Sequence, residues 1–342
     1  MTRTTTTRRE VLALGAAGLA GTAGCAERAP DVLGELDRDQ ITAIVPWAQG
    51  GGTDRAMRVT TPTWSDLLDV EFVVENYPGG STQVGGEQIY NAEPDGLTLG
   101  MWNMPQMQAT WLFQDAPYTA DDFDYLGTHH WDPTMWFAPL DSPYEDIEGF
   151  IEYAREDGAT VGITAAIGNT ALSALLVEDA YDLDLTVVNM EGGSELRQAV
   201  LAGDVDAGVN QPWAFDPDHA GDVTALGSHT DEPQELWPDV PSFGELGMDE
   251  VPLVEEGLGQ WKLMVAPGGV REQHPDWFEE LAESYAAVFE DEGFRTRTEE
   301  QGGLDRIVDY RGPEETAREV EETSEFMSEY ADVIEDFIYD RG

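Results

Sequence analysis

Ile41-Thr42-Ala43-Ile44-Val45-Pro46-Trp47-Ala48-Gln49-Gly50-Gly51-Gly52-Thr53-Asp54-Arg55-Ala56-Met57-Arg58 joins an apolar run to three successive glycines and the start of an amphipathic segment. The run from Ile41 to Val45 is short and ends at Pro46, the pattern of a buried strand. Beyond the glycines, Ala56, Met57 and Val59 fall on one side of a predicted helix. With no Cβ in the way, glycines let backbone N–H groups approach a ligand closely. The first N–H groups of a helix have no intrahelical acceptor, and the helix dipole favours an anion there. The stretch is therefore a candidate carboxylate or phosphate cradle. It is not a Walker A loop, since no Gly-Lys-Ser/Thr follows, nor a dinucleotide fingerprint. Asp54 is expected to start the helix and to face the same cleft.

Outward from this stretch the strand-and-helix rhythm continues. A strand is predicted over 71–75, stopped by Asn76-Tyr77-Pro78-Gly79-Gly80, a strong turn signal. A helix over 85–92 and a strand over 97–101 follow, separated by the turn Pro94-Asp95-Gly96. The pattern restarts with helix 147–155, strand 160–164, helix 170–181, strand 186–188, a helix opening at Gly192-Gly193-Ser194-Glu195, and strand 205–209. The tail supplies a strand over 261–266 and two amphipathic helices. Trp277, Phe278, Leu281, Tyr285, Val288 and Phe289 form one apolar face. Val320, Phe326, Met327, Tyr330, Val333, Ile334 and Phe337 form the other, and both read as core packing, not as a membrane helix. Alternating strands and helices give the α/β class, each unit a mostly parallel sheet flanked by helices. Two lobes are expected, one from 38–138 plus 262–342 and the other from 139–261, because the chain is too long for one typical core.

The first residues stand apart from the fold. Arg8 and Arg9 precede a short apolar stretch of small residues, which describes an export signal over 1–24 and suggests the twin-arginine route. Thr22-Ala23-Gly24-Cys25 is similar to a lipobox, and Cys25 is the chain's single cysteine. No intramolecular disulfide can form, and a lipid on Cys25 would tether the mature chain to the membrane through 25–37.

The charge is extreme: 17 Lys and Arg against 69 Asp and Glu, net −52. Loss of 1–24 removes Arg3, Arg8, Arg9 and Glu10, leaving 14 against 68, or −54. Such a surface repels nucleic acid and anionic lipid, which excludes both as partners. Disorder is excluded too, because 41% hydrophobic residues with 10 Trp and 12 Phe suffice for a packed core. At molar ionic strength the Debye length is about 3 Å, so these carboxylates barely repel. The composition implies a halophile's protein that loses its fold in dilute buffer. Carboxylate clusters arise by chance in such a chain and carry little weight.

Two further loops resemble the first in character, 164–170 with Thr164, Ala165, Asn169 and Thr170, and 189–193 with Asn189, Gly192 and Gly193. Each follows a predicted strand and opens a helix, and ligands of open α/β sheets sit beyond the carboxyl ends of strands. The three loops should converge on one interlobe cleft. Catalytic candidates are poor: Ser142, Ser173 and Ser194 lack a Gly-x-Ser-x-Gly elbow. His129 and His130 are adjacent, so on a regular element they point to opposite sides, which argues against a metal site. Trp47, Trp102, Trp131, Trp136, Trp213 and Trp261 are candidates for a cleft wall, with core burial expected for most.

The 44–58 stretch resembles the opening of the tripartite tricarboxylate transporter receptors, the Bug-type solute-binding proteins. Val74 to Gly80, Ala92 to Thr98, Val188 to Gly193 with Leu201 to Asp206, and Trp237 to Gly247 resemble four further blocks of that family in order. The resemblance implies a two-lobed, type II periplasmic-binding-protein-like fold that closes over a small carboxylate. It implies delivery to a two-component membrane permease, with no catalysis, cofactor or metal. It places the ligand among Trp47, Gln49, Gly50, Gly51, Thr53, Asp54, Thr164, Ala165, Asn169, Thr170, Asn189, Gly192 and Gly193, and the chain is expected to act as a monomer. Three positions depart from the pattern: Trp47 replaces a smaller aromatic, Glu191 a basic or polar residue, and Asn169 a serine. A sensory receptor, or a secreted two-lobed enzyme using Asp54 or Glu191, remains an alternative.

Overall fold

The computed structural model describes residues 38–190, 192–215, 221–248, 251 and 258–340; the leader 1–24, Cys25, the tether 25–37 and Glu191 lie outside the described residues. Strand β1 (Gln40–Val45) runs into helix α1 (Gly52–Leu68), then β2 (Glu71–Asn76), α2 (Gln83–Tyr90), β3 (Thr98–Met104) and α3 (Gln106–Phe113). The long β4 (Phe123–Pro133) and β5 (Met135–Pro139) follow, separated by Thr134. Next come α4 (Ile147–Asp157), β6 (Ala159–Ile163), α5 (Asn169–Tyr181), β7 (Leu185–Asn189), α6 (Gly193–Ala202), β8 (Ala207–Asn210) and β9 (Val223–Ser228). Strand β10 (Gly259–Pro267) leads to α7 (Val270–Gln273), α8 (Pro275–Val288), α9 (Glu292–Glu299), α10 (Pro313–Glu329) and α11 (Ala331–Asp340).

These strands build two five-stranded mixed sheets of matching plan, in the orders β2-β1-β3-β10-β4 and β7-β6-β8-β5-β9. In each, three strands run parallel and the fourth lies antiparallel to its parallel neighbour. That fourth strand is the one that arrives from the other sheet: β5 continues from β4, and β10 returns after the second sheet is built. The two connections meet at Thr134, whose N–H donates to Leu258 O at 2.7 Å while its own carbonyl accepts from His229 N at 2.9 Å. Helices cover both sheets, and the fold is the two-lobed α/β architecture of periplasmic binding proteins.

Three features differ from the sequence reading. The segment 102–139, which carries no predicted element beyond residue 101, holds α3 and the connecting strands β4 and β5. The second apolar stripe of the tail belongs to two helices, not one. Val320 on α10 enters the first sheet's core, whereas Met327, Ile334 and Phe337 join the core around α5 of the second. The chain therefore ends by strapping back across to the other sheet.

The third difference concerns the histidine pair. Along β4 the register against β10 jumps from His130 opposite Lys262 to Thr128 opposite Leu263, leaving His129 as a bulged extra residue. The bulge turns both rings inward, so Nδ1 of His129 and Nδ1 of His130 share a hydrogen bond of 2.7 Å. His129 Nε2 contacts Thr60 Oγ1 at 2.9 Å. Burial, reinforced by the Lys262 charge, pushes His129 down to about 3 and His130 well below its usual value, so both are neutral. Among the described residues no group of three His, Cys, Asp or Glu stands close enough to hold a metal ion. No described helix is long and apolar enough to cross a membrane.

Candidate ligand site

A cavity of about 210 Å³ opens between the carboxyl ends of the parallel strands of the two sheets. Trp47, Gln49, Gly51, Gly52, Thr53, Asn103, Asp132, Gln260 and Lys262 line it from the first sheet's side. Thr164, Gly192, Gly193, Ser194, Glu195, Asn210, Gln211 and Trp213 line it from the second. The three sequence-predicted loops do converge. Each opens a helix on a glycine N-cap, Gly51 for α1, Gly168 for α5 and Gly192 for α6, and none of these caps makes a side-chain hydrogen bond. Helices α4 and α9 are capped by the side chains of Asp146 and Asp291, while α2, α3, α8 and α10 also lack a side-chain cap, so it is the position of the three glycine caps at the cavity that sets them apart. Leaving a helix start without a side-chain acceptor keeps its N–H groups available to an outside anion.

The predicted residues divide by position. Trp47, Gln49, Gly51, Thr53, Thr164, Gly192 and Gly193 are on the cavity wall. Gly50, Asp54, Ala165, Asn169 and Thr170 are not, and Asn189 lines a neighbouring cavity beside Pro46, Trp47 and the 78–82 turn. Asp54, expected to face the cleft, instead folds its carboxylate back onto its own loop. It accepts from Gly50 N at 2.9 Å, Arg58 Nε at 3.0 Å and Asn76 Nδ2 at 2.9 Å. Burial opposes its charge, but the hydrogen bonds from Arg58, Gly50 and Asn76 prevail and hold its pKa below the usual value. Gly50 takes φ +82°, a left-handed conformation suited to glycine, and Asp54 pins it there. Thr170 Oγ1 similarly accepts from Thr164 N at 3.3 Å, bracing the second loop. Of the tryptophans, Trp47 and Trp213 line the cavity, whereas Trp102 and Trp136 are wholly buried core residues.

The cavity's charged floor was not among the sequence candidates. Gln260 and Lys262 lie two apart on β10 and share a face with their β4 partners Asp132 and His130. Lys262 is 2% exposed and is the chain's only lysine. Its Nζ donates to Gln260 Oε1 at 3.1 Å and stands 3.9 Å from Oδ2 of Asp132, itself 1% exposed. Burial pushes Lys262 down to about 8 against the pull of Asp132, and burial pushes Asp132 up to about 6 against the pull of Lys262. The side chain also reaches the α1 cradle: a Cβ on Gly52 would lie 3.8 Å from Lys262 Cε and 3.7 Å from the Trp213 ring. Arg55 stacks on that ring 4.2 Å from its centroid, adding a second positive charge nearby.

A chain of buried amides leads away from this floor. Gln260 Nε2 donates to Gln106 Oε1 at 3.0 Å, Gln106 Nε2 to Asn169 Oδ1 at 2.6 Å, and Asn169 Nδ2 to Thr134 Oγ1 at 2.7 Å. Lys262 is thus linked through three amide side chains to the residue where the connecting strands meet. Asn169, a predicted ligand residue, is here a link between the two sheets. Across the cleft mouth, Ser194 Oγ donates to Gly50 O at 3.3 Å.

Two α/β sheets with a cavity between them, faced by helix starts, define a two-lobed solute-binding protein. The model for the tripartite tricarboxylate transporter family receptor, TctC, matches residues 56–283, and the chain belongs to that family. A UPF0065 protein in the gbd 5′ region of Cupriavidus necator is 26% identical over 67% of this chain and 69% of its own length. Among solved structures, MatC of Rhodopseudomonas palustris, determined with bound malate, is 25% identical. It has a TM-score of 0.73, covering 86% of this chain and 98% of its own. The periplasmic binding protein BugD, 22% identical, shares the fold with a TM-score of 0.76 over 86% of this chain and 97% of its own.

Proposed function

We propose that this chain captures a small di- or tricarboxylate, or a related organic acid, outside the cytoplasm and passes it to a two-component integral-membrane permease. The observation that carries the reading is the cavity where the uncapped start of α1 and the buried Lys262 stand side by side. In a chain of net charge −52, an anion site has to be built from local backbone donors and a sequestered cation, and both are present. The malate found in MatC, a relative of the same fold, supports the ligand class. On this reading the protein has no catalytic role, needs no cofactor and works as a monomer. It is exported by the twin-arginine route and held at the outer face of the cytoplasmic membrane by a lipid on Cys25. Gly50, Asp54, Ala165, Asn169 and Thr170 act from behind the wall by fixing the loops.

A thermal-shift screen of the mature protein in multimolar KCl, against mono-, di- and tricarboxylates, amino acids and aromatic acids, tests the proposal. A ligand at 100 times its Kd adds about 2.7 kcal/mol of stability, an easily read shift. No shift from any carboxylate, with the protein shown to be folded, would refute the reading. The same protein diluted into low salt should melt at a markedly lower temperature, as its exposed carboxylates lose screening. The lobes, taken as 38–138 plus 262–342 and 139–261, should close about the connecting strands when ligand binds. Small-angle scattering with saturating ligand should then show compaction.

A further inference from the structure

The cavity floor holds more recognition chemistry than one carboxylate requires. Lys262 has committed one N–H to Gln260, and its 3.9 Å approach to Asp132 is too long for a second full hydrogen bond. Among the described residues, three buried atoms in the lining have no hydrogen-bond partner, Asp132 Oδ1, Asn210 Nδ2 and Gln211 Nε2, although the Asp132 carboxylate does accept from the Trp213 backbone N–H. Asn210 is 1% and Gln211 6% exposed, and both line the cavity. Buried polar groups are almost always satisfied, and three of the eight exceptions among the described residues face this one cavity, where a bound solute would serve them. Their demands are of two kinds. Lys262, Asn210 and Gln211 offer hydrogens and seek acceptor oxygens, whereas Asp132 seeks a donor. A bare carboxylate answers the first demand and is repelled by the second.

We infer that Lys262 and Asp132 together read a two-part group on the ligand, a carboxylate taken by Lys262 and a neighbouring hydroxyl or ammonium that donates to Asp132. This rests on the carboxylate-receptor reading and narrows it to 2-hydroxy or 2-amino acids over their unsubstituted parents. Lys262 favours the anionic form of Asp132, offsetting part of the burial that raises its pKa. Asp132 also serves as the counter-charge to Lys262 through Oδ2, and it is Oδ1 that is left for a donor on the ligand. Asn210 and Gln211, on the opposite wall, then serve the ligand's remaining acceptor oxygens.

Isothermal titration calorimetry in multimolar KCl at pH 7 tests this with two matched sets: succinate, malate and aspartate, then glutarate, 2-hydroxyglutarate and glutamate. Within a set the acids differ only in the substituent beside one carboxylate. In at least one set, malate-type or aspartate-type acids should bind about tenfold more tightly than the parent, a difference of about 1.4 kcal/mol. Preference for the hydroxy or for the amino member identifies the donor as hydroxyl or ammonium. Asp132→Asn should bring the substituted and parent acids to within about twofold of each other. The wild-type ratios stand without any variant, so an Asp132→Asn chain that fails to fold leaves the test intact. Parent acids that bind as tightly as the substituted ones would overturn the inference and leave the receptor reading in place. A preference that survives in folded Asp132→Asn would overturn it as well. No binding by any of the six acids overturns it too, and the receptor reading is then judged by the wider carboxylate screen.

Discussion

The two walls of the cavity differ in what they offer a ligand. On the second sheet's side the wall is built mainly of neutral groups, backbone at Gly192 and Gly193, hydroxyls at Thr164 and Ser194, and amides at Asn210 and Gln211, with the exposed Glu195 as its one carboxylate. On the first sheet's side the same kind of glycine loop is backed by a buried ion pair, Lys262 and Asp132. A wall built mainly of dipoles can hold many anions, because it offers donors without a fixed charge pattern. A buried pair is demanding, since each charge was taken from water at considerable cost and tolerates only a partner that fits. On the receptor reading proposed above, general capture belongs to the second wall and discrimination to the first.

The sharpest way to break this comparison is Lys262→Met, which leaves Asp132 buried without its counter-charge. Stability should fall by about 3–5 kcal/mol in chemical denaturation, and the ligand-induced shift should disappear. A loss below about 1 kcal/mol would show that the pair is solvated and the first wall ordinary. Replacing both residues, Lys262→Met with Asp132→Leu, should restore much of the stability but not the binding.

The next effect is one of pH. Lys262 is lowered to about 8 in the free protein, and an anionic ligand favours its ammonium form. Affinity should therefore hold up to about pH 8 and then decline, approaching tenfold per pH unit, as the free protein loses that proton. Calorimetry at pH 7 and pH 9.5 reads it, and a flat profile would remove the ammonium from recognition. On the second wall, Gln211→Ala should weaken binding by about 1 kcal/mol while moving stability by no more than about 0.5 kcal/mol. Smallest of all is Gly52→Ala. Its Cβ would meet Trp213 and Lys262 at 3.7–3.8 Å, ordinary contact distance, so only the cavity's width changes. Affinity should shift by about twofold or threefold with the fold undisturbed.

How much of this is legible in the sequence depends on how local the signal is. The β1 strand, its glycine loop and α1 are written in consecutive residues, as are the loops after β6 and β7, so their convergence follows from strand order and turn chemistry alone. The charged floor does not. Lys262 and Asp132 lie 130 positions apart, and they meet because β10 returns from the second sheet to pair with β4. A trace is present all the same: a lone lysine in the apolar strand Trp261-Lys262-Leu263-Met264-Val265. Buried charge of that kind calls for a partner, but nothing nearby in sequence names it. The histidine pair misleads differently, because alternation along a strand assumes no bulge, and His129 sits in one. Asp54 does sit at the helix start, as its neighbours in sequence imply, but its orientation is set from elsewhere. Arg58 one turn later and Asn76 at the end of β2 draw its carboxylate inward, away from the cleft.

That Lys262 is the only lysine also shapes how the molecule meets reagents. An exterior dense in carboxylates offers no side-chain amine, so acylating dyes and amine cross-linkers find one such target, shut in at 2% exposure. The rate at which such a reagent marks that single nitrogen becomes a clock for the opening of the cleft, and a bound solute stops it.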